Sequence, residues 1–170
     1  IAVSVGGQLS IAATNNADGT WTLADNSLTT LADGTYNVLV VATDSVGNPG
    51  TDATNDELTI DATPPVVSID SRVTNDSTPS LTGTVDDVAA TIAVTVNSNT
   101  FGATNNGNGT WTLSDNVITP ALPANTYDVM VVATDVLSNA GSDATTAELE
   151  IDLTAPTITV NTFQTNDATP

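Results

Sequence analysis

Apolar and polar residues alternate in short runs along most of the chain. Within residues 91–97 the apolar side chains fall at every second position (Ile92, Val94 and Val96), and residues 126–134 repeat this pattern. A period of two predicts β-strands that bury one face and expose the other. Clusters of Asn, Asp, Gly and Thr separate the runs and are typical of turns. The pattern therefore predicts an all-β fold built from short strands.

Residues 61–151 form the stretch in which this pattern is most regular. The predicted strands are residues 66–69, 80–85, 91–97, 101–104, 110–113, 126–134 and 147–151, with a turn at residues 74–78 and a loop at residues 135–141. Short strands separated by turns every 8–12 residues or so are typical of an antiparallel β-sandwich. Trp111 and Tyr127 fall at inward positions, so we expect both to pack in the core, with Tyr127 as a tyrosine corner.

A long internal repeat organises the whole chain. Residues 13–26 (ATNNADGTWTLADN) return almost unchanged as residues 103–116 (ATNNGNGTWTLSDN). Other pairs keep the same separation of about 91 residues: Trp21 and Trp111, Tyr36 and Tyr127, Asp44 and Asp135, Asp61 and Asp152. This period is too long for one coil of a solenoid and suits a whole small domain. We therefore expect tandem domains of about 91 residues each.

The repeat predicts where the domains begin and end. Proline-containing segments follow Asp61 and Asp152, which is typical of a stiff linker next to a strand end. Residues 61–151 are predicted to be one complete domain, and residues 1–60 a domain that lacks the counterparts of its first two strands. Residues 152–170 are predicted to be the first strand of a third domain. We expect the chain to be part of a longer repetitive protein.

The charge of the chain narrows the possible partners. Twenty acidic residues stand against one basic residue, Arg72, which gives a net charge of −19. Nucleic acids and anionic membrane surfaces need basic patches, so neither is an expected partner. Membrane insertion is not expected either, because no apolar run approaches the ~20 residues of a spanning helix. A strongly acidic chain suits a protein that recruits cations or works in salty water.

The chain contains no Cys, Lys or His. Disulfides and Lys–Asn isopeptide cross-links are therefore impossible, and most nucleophile-and-base pairs are missing. The adjacent carboxylates Asp86 and Asp87 stand on one short loop and cannot flank a cleft as paired catalytic acids do. We expect the protein not to be an enzyme.

Oxygen atoms are the only strong metal ligands that this composition offers, and they favour hard cations such as calcium. If the sandwich brings its loops together at two poles, the candidate calcium ligands are Asp61, Asp86, Asp87, Asp135 and Asn139 at one pole, Asp76 and Asp152 at the other, and Asp44 as the counterpart of Asp135. Two plainer interpretations remain open. Asp and Asn are ordinary turn formers, and surface acids also solvate a protein without binding an ion.

Several short motifs suggest a family. In the segments TAPTITV, GTVDD, NGNGTWTLSDN, NTYDVMVVATDVLSNAG and ELEIDLTAP, the chain resembles the bacterial Ig-like repeats of giant RTX and type I secreted surface adhesins of Gram-negative bacteria. The resemblance covers the whole chain. It implies tandem Ig-like β-sandwiches that act as extenders, secreted to the cell surface, with calcium stiffening the junctions between neighbouring repeats.

Two other functions compete with the extender. The first is a subunit of an extracellular fibre, in which a strand from another chain completes an incomplete sandwich and the protein self-associates. The second is a carbohydrate-binding module, which needs exposed aromatic residues on a flat face. The chain has two Trp, two Tyr and two Phe, most at inward positions, so the sequence disfavours a carbohydrate platform.

Overall fold

The computed structural model describes residues 1–52, 54–143 and 145–169. Within these ranges every regular element is a β-strand, in agreement with the all-β prediction. The chain divides into two compact units, a first unit of Ile1–Thr63 and a second unit of Pro64–Pro170. The part of the chain that is described contains no helix with the length and hydropathy needed to cross a membrane.

The first unit contains one sheet of four strands and two small ribbons. Its strands are β1 (Ala2–Val5), β2 (Gln8–Ala12), β3 (Thr14–Asn15), β4 (Trp21–Thr22), β5 (Gly34–Tyr36), β6 (Val38–Thr43), β7 (Pro49–Thr51) and β8 (Leu58–Ile60). The four-stranded sheet has the order β2-β1-β6-β7, and the ribbons are β3-β4 and β5-β8. All of these pairs are antiparallel.

The second unit is larger and has two sheets. Its strands are β9 (Arg72–Thr74), β10 (Leu81–Thr84), β11 (Thr91–Val96), β12 (Asn99–Asn105), β13 (Thr110–Leu113), β14 (Asn125–Tyr127), β15 (Val129–Thr134), β16 (Ala140–Asp143) and β17 (Leu149–Ile151). One sheet has the order β10-β13-β12-β11-β15-β16 and the other β14-β17-β9. The pair β9-β17 is parallel, which departs from the predicted all-antiparallel arrangement.

The alternation seen in the sequence sets the register of the central strands. Val94 on β11 lies opposite Phe101 on β12 and Val131 on β15, so the apolar positions of three strands share one face. Ile92, Val94 and the other inward side chains of β11 are buried, as the period of two predicts. A register slip of one residue would turn all of them toward solvent, which is why this pairing is well specified.

Trp111 lies at the centre of the second unit's core. It is fully buried, and its indole Nε1 donates a hydrogen bond of 2.8 Å to the carbonyl oxygen of Ser68. Leu149 and Ile151 of the smaller sheet pack into the same cluster, so both sheets share one core. Burial of each large apolar side chain stabilises the fold by about 1.5–3 kcal/mol. The prediction that Trp111 packs in the core is confirmed.

The tyrosine corner predicted at Tyr127 is present, and Tyr36 forms the same corner in the first unit. The hydroxyl of Tyr127 donates to the carbonyl oxygen of Pro123 at 2.9 Å, and the hydroxyl of Tyr36 donates to that of Ala32 at 2.8 Å. Each bond runs back four residues along the chain, so both of its partners lie in one short segment. The corner stops the polar end of the tyrosine from being buried without a partner.

Residues 66–70 lie along β10 without forming a regular strand. Val67 and Val85 form an isolated antiparallel bridge, and the backbone amide of Ser68 donates to the carbonyl oxygen of Thr84 at 3.0 Å. A Cβ atom on Gly83 would overlap the carbonyl oxygen of Ser68 and lie 2.7 Å from Nε1 of Trp111. Glycine at this position therefore allows the segment to approach the tryptophan.

Several predicted boundaries differ from the structure. The predicted strand 66–69 is this isolated bridge, and the predicted strand 126–134 is divided at Asp128 into β14 and β15, which belong to different sheets. Strand β9 precedes and overlaps the predicted turn at residues 74–78. Strand β16 extends from the end of the predicted loop at residues 135–141. Its residues Ala-Gly-Ser-Asp carry no apolar alternation, because it is an edge strand that pairs only with β15.

Residues 152–169 contain no strand. Their large apolar side chains, among them Ile158, Val160 and Phe163, are exposed. A strand needs a neighbour to which its backbone can bond. That this segment is the first strand of a further domain, and that residues 61–151 are one complete domain, stay predictions.

Candidate functional site

The loop between β15 and β16 carries two of the candidate calcium ligands. Oδ1 of Asp135 accepts hydrogen bonds from the backbone amides of Leu137 and Asn139, each at 2.8 Å. Oδ2 accepts a third bond, from Nδ2 of Asn139, at 2.8 Å. The structure therefore brings Asp135 and Asn139 together, with the carboxylate turned into its own loop.

The same loop occurs in the first unit. Oδ1 of Asp44 accepts from the backbone amides of Val46 and Asn48 at 3.0 and 2.8 Å, and Oδ2 accepts from Nδ2 of Asn48 at 2.9 Å. Both loops have the sequence Asp-Xaa-Xaa-Xaa-Asn and join two paired antiparallel strands. The physical basis of the loop is that Asp and Asn side chains replace backbone partners in tight turns.

Hydrogen bonding keeps these two carboxylates charged. Burial raises the pKa of Asp135, but the bonds from the side chain and backbone of Asn139 and from the amides of Leu137 and Ser138 outweigh it, so the pKa lies below its ordinary value. The side-chain amide of Asn48, followed by its backbone amide, lowers the pKa of Asp44. Bonds donated to the charged form of a carboxyl group favour that form.

Asp86 and Asp87 are adjacent, but their carboxylates accept hydrogen bonds from different segments of the chain. Oδ1 of Asp86 accepts from the backbone amide of Val66 at 2.8 Å, which ties the loop to the start of the second unit. Oδ1 of Asp87 accepts from the amide of Ala89 at 2.7 Å and closes a local turn. The prediction that both carboxylates converge on one ion is not needed to explain either position.

The remaining candidates form one recurring kind of turn. Asp61, Asp76 and Asp152 each accept a hydrogen bond at Oδ1 from the backbone amide of the threonine two residues later, at 3.1, 2.9 and 2.8 Å. The amide of Thr78 is the main cause of the lowered pKa of Asp76. The same Asp-Xaa-Thr bond occurs at Asp18, Asp52, Asp143 and Asp167. The spacing Asp-Xaa-Thr is the sequence signal of these turns.

A metal centre needs several ligands around one point, and calcium takes six to eight oxygens. Within residues 1–52, 54–143 and 145–169, no group of three or more acidic side chains is arranged so that it could hold a metal ion. Each candidate ligand instead has a structural partner within its own unit. Calcium binding therefore stays a prediction, and turn formation accounts for the geometry that is seen.

A second candidate site is an apolar groove in the first unit, here called the groove. It encloses about 320 Å³, and its lining includes Val5, Trp21, Leu23, Leu28, Val40 and Leu58. Trp21 is 39% exposed there, whereas its counterpart Trp111 is fully buried. Because Trp21 is the counterpart of Trp111 in the repeat, core packing is expected for it too, and the structure bears this out only in part.

Carboxylates stand at the rim of the groove. Asp52 and Glu57 both line it. Oε2 of Glu57 accepts from the backbone amide of Val38 at 2.9 Å, and the hydroxyl of Thr54, followed by that amide, lowers the pKa of Glu57. The counterpart Glu148 makes the same bond to the amide of Val129 at 3.0 Å, but it is buried, with 4% of its surface exposed. The two units thus share this hydrogen bond between the glutamate and a backbone amide, but the glutamate is buried only in the second unit.

Comparison with known families gives one decisive match. The model of the bacterial Ig-like domain (group 3) matches residues 19–148, which is more than half of the chain. The chain belongs to the bacterial Ig-like domain family. The all-β fold and the tyrosine corners agree with this membership. Bacterial Ig-like domains are typical of extracellular or surface proteins.

Among the curated proteins, none matches the chain. Among solved structures, it is similar to SGBP-B of the mixed-linkage glucan utilization locus of Bacteroides ovatus, determined in complex with a mixed-linkage heptasaccharide. The identity is 15%, the match covers 89% of this chain and 37% of that one, and the TM-score is 0.34. A TM-score of this size does not establish a shared architecture of the two proteins.

Proposed function

We propose that this chain is an extender region of a large secreted bacterial surface protein, with each bacterial Ig-like domain acting as a spacer. The observation that supports the proposal is the repeat itself. In each unit the tryptophan lies opposite an asparagine of the preceding strand, and each unit has the tyrosine corner and the Asp–Asn loop at matching positions. Repetition of one stable module is how repeat proteins gain length.

The chemistry of the loops agrees with a spacer. The acidic side chains of the candidate site close turns within their own unit, as at Asp135 and Asp44. Rigid turns limit bending inside each domain. A net charge of −19 adds self-repulsion, which favours an extended chain over a collapsed one at low salt.

Small-angle X-ray scattering tests this proposal. A single compact body of 170 residues has a radius of gyration of roughly 15–16 Å. We expect a clearly larger value and a long maximum dimension for this chain in physiological salt. A radius near that of one compact body would contradict the extender function.

Calcium forms a second part of the proposal. We expect added calcium to raise the melting temperature and to stiffen the chain, and EDTA to reverse both effects. Asp135→Ala should remove the calcium-dependent gain in the second unit. If neither scattering nor melting responds to calcium, the acidic residues serve only turns and solvation, and the spacer function must rest on packing alone.

A further inference from the structure

The turn between β12 and β13 holds two Asn-Gly pairs in succession, residues 106–107 and 108–109. We propose that Asn108 is a site of spontaneous deamidation, and that the folded turn selects Asn108 over Asn106. This inference does not depend on the extender function. It rests on three observations: the bonding of the two glycine amides, the donors at Oδ1 of Asn108, and the partners of Asn106.

The reaction needs only the Asn-Gly pair and water. The backbone nitrogen of Gly109 loses its proton to water or hydroxide and bonds to Cγ of Asn108, which forms a tetrahedral intermediate. The bond between Cγ and Nδ2 then breaks, and Nδ2 takes up a proton and leaves as ammonia. Water opens the resulting succinimide ring at either carbonyl, which gives aspartate or isoaspartate. Glycine favours the first step because it has no Cβ atom to obstruct its nitrogen.

The first observation is that the two attacking nitrogens differ. The backbone amide of Gly107 donates a hydrogen bond to Oδ1 of Asn105 at 3.1 Å. The backbone amide of Gly109 donates no hydrogen bond to any of the residues that the structure describes. Because Gly107 must give up its bond before its nitrogen attacks, the reaction at Asn106 should be slower by roughly two- to tenfold on this account alone.

The second observation is a pair of donors at the side chain of Asn108, which is exposed. Its Oδ1 accepts hydrogen bonds from the backbone amide of Thr110 at 3.2 Å and from the hydroxyl of Thr110 at 2.7 Å. Negative charge develops on this oxygen when Cγ is attacked, so both donors stabilise the tetrahedral intermediate more than the starting amide. The turn therefore supplies an oxyanion site for the deamidation of Asn108.

The third observation is that Asn106 is held by its leaving group instead. Its Nδ2 donates hydrogen bonds to the hydroxyls of Thr110 and Thr112 at 2.9 and 3.1 Å. Both bonds are lost when ammonia leaves. No hydrogen bond to Oδ1 of Asn106 is present within residues 1–52, 54–143 and 145–169, so this side chain lacks the donors that would stabilise its intermediate.

The first unit contains the counterpart of one product. Asp18 corresponds in the repeat to Asn108, and its Oδ1 accepts from the amide and the hydroxyl of Thr20 at 2.9 and 2.6 Å. Aspartate therefore fits this turn. Isoaspartate would add one carbon to the backbone just before Gly109, whose carbonyl oxygen accepts a hydrogen bond of 3.0 Å from the amide of Val85. We expect this second product to weaken the pairing of β10 with β13.

Ageing of the full chain at neutral and mildly alkaline pH, followed by peptide mapping, tests the inference. Chymotrypsin cuts after Phe101 and Trp111, and fragmentation of the peptide 102–111 in the mass spectrometer assigns each deamidated residue. In the folded chain we expect Asn108 to react roughly tenfold faster than Asn106. In guanidinium chloride, which unfolds the chain, the two rates should be similar. Equal rates in the folded chain, or the same preference in the unfolded chain, overturn the inference and leave the extender function untouched.

Three variants test the oxyanion site. Thr110→Val removes the shorter donor and should slow the reaction at Asn108 by roughly two- to tenfold, whereas Thr110→Ser keeps a hydroxyl and should preserve the native rate. The matched control is Thr112→Val, which removes the other hydroxyl bonded to Asn106 and should leave the rate at Asn108 unchanged. The rate of each variant unfolded in guanidinium chloride corrects for the altered side chain. A corrected rate that Thr110→Val does not lower overturns selection by the turn.

Discussion

The two units carry nearly the same sequence pattern and bury it to different extents. Trp111 is fully buried and Trp21 is 39% exposed, although each lies opposite an asparagine in the equivalent strand pair of its unit. In the second unit Val67, Leu81 and Val85 belong to the same buried cluster as Trp111, and the backbone of residues 66–70 bonds to β10. By contrast, the tyrosine corner and the Asp–Asn loop are alike in both units, because each is made within a few residues. Hydrogen bonds between residues close in sequence are therefore alike in the two units, whereas the burial of a side chain depends on segments far away in the chain.

The largest expected effect is at the two tryptophans. Trp111→Ala should destabilise the second unit by about 3–5 kcal/mol, because it removes a fully buried ring and its hydrogen bond to Ser68. Trp21→Ala should destabilise the first unit by less than half as much. Hydrogen exchange followed by mass spectrometry, with peptides assigned to each unit, measures both. Equal losses would mean that Trp21 is as well covered as Trp111.

A second pair of variants tests the close approach of residues 64–65. Gly141→Ala should cost the second unit about 1–3 kcal/mol, because its methyl group would overlap the carbonyl oxygen of Pro65. Gly50→Ala is the matched control and should change stability by less than about 0.5 kcal/mol. Chemical denaturation of each variant gives the comparison. A similar cost at both sites would show that a segment already lies over Gly50.

Removing the tyrosine hydroxyl should destabilise the two units by similar amounts. Tyr127→Phe and Tyr36→Phe each remove one hydroxyl that donates to a backbone carbonyl, so each should cost about 0.5–1.5 kcal/mol in its own unit. The same hydrogen-exchange measurement applies. A markedly smaller effect at Tyr36 would mean that the local bond also depends on the covering segment.

The smallest expected effect is a change in the pH dependence of stability. The pKa of Asp135 is lowered from its ordinary value of 3.8, so its contribution to stability is present above that pH and is lost as the pH falls through the folded-state pKa. Asp135→Asn should therefore be less stable than the native chain at neutral pH, and the difference should begin to shrink as the pH falls below about 3.8 and vanish below the folded-state pKa. Thermal melts of both proteins across pH 2–7 (roughly the range of carboxyl titration) check this. If the stability difference between the native chain and Asp135→Asn does not depend on pH, the negative charge of Asp135 is not what stabilises the loop.

The period of two was enough to predict the all-β class and the core strands around Val94 and Val131, because their inward faces are marked by apolar residues. The pairing of β9 with β17 could not be predicted in this way, because it joins segments far apart in the chain and runs parallel. Strand β16 was missed since an edge strand needs no apolar face. At the candidate site, the Asp-Xaa-Thr turns can be predicted from the spacing of the two residues in the sequence. Convergence of Asp86 with Asp135 would depend on the tertiary structure and cannot be predicted in this way.

The parallel pairing of β9 with β17 has a mechanical consequence. Strand β9 lies near the start of the second unit and β17 near its end, and both run in the same direction. A pull on the two ends of the unit would slide one strand along the other, which loads every hydrogen bond of the pair at the same moment. Antiparallel strands pulled from a shared end would instead open one bond at a time. The unit is therefore built to resist tension along its length through shear.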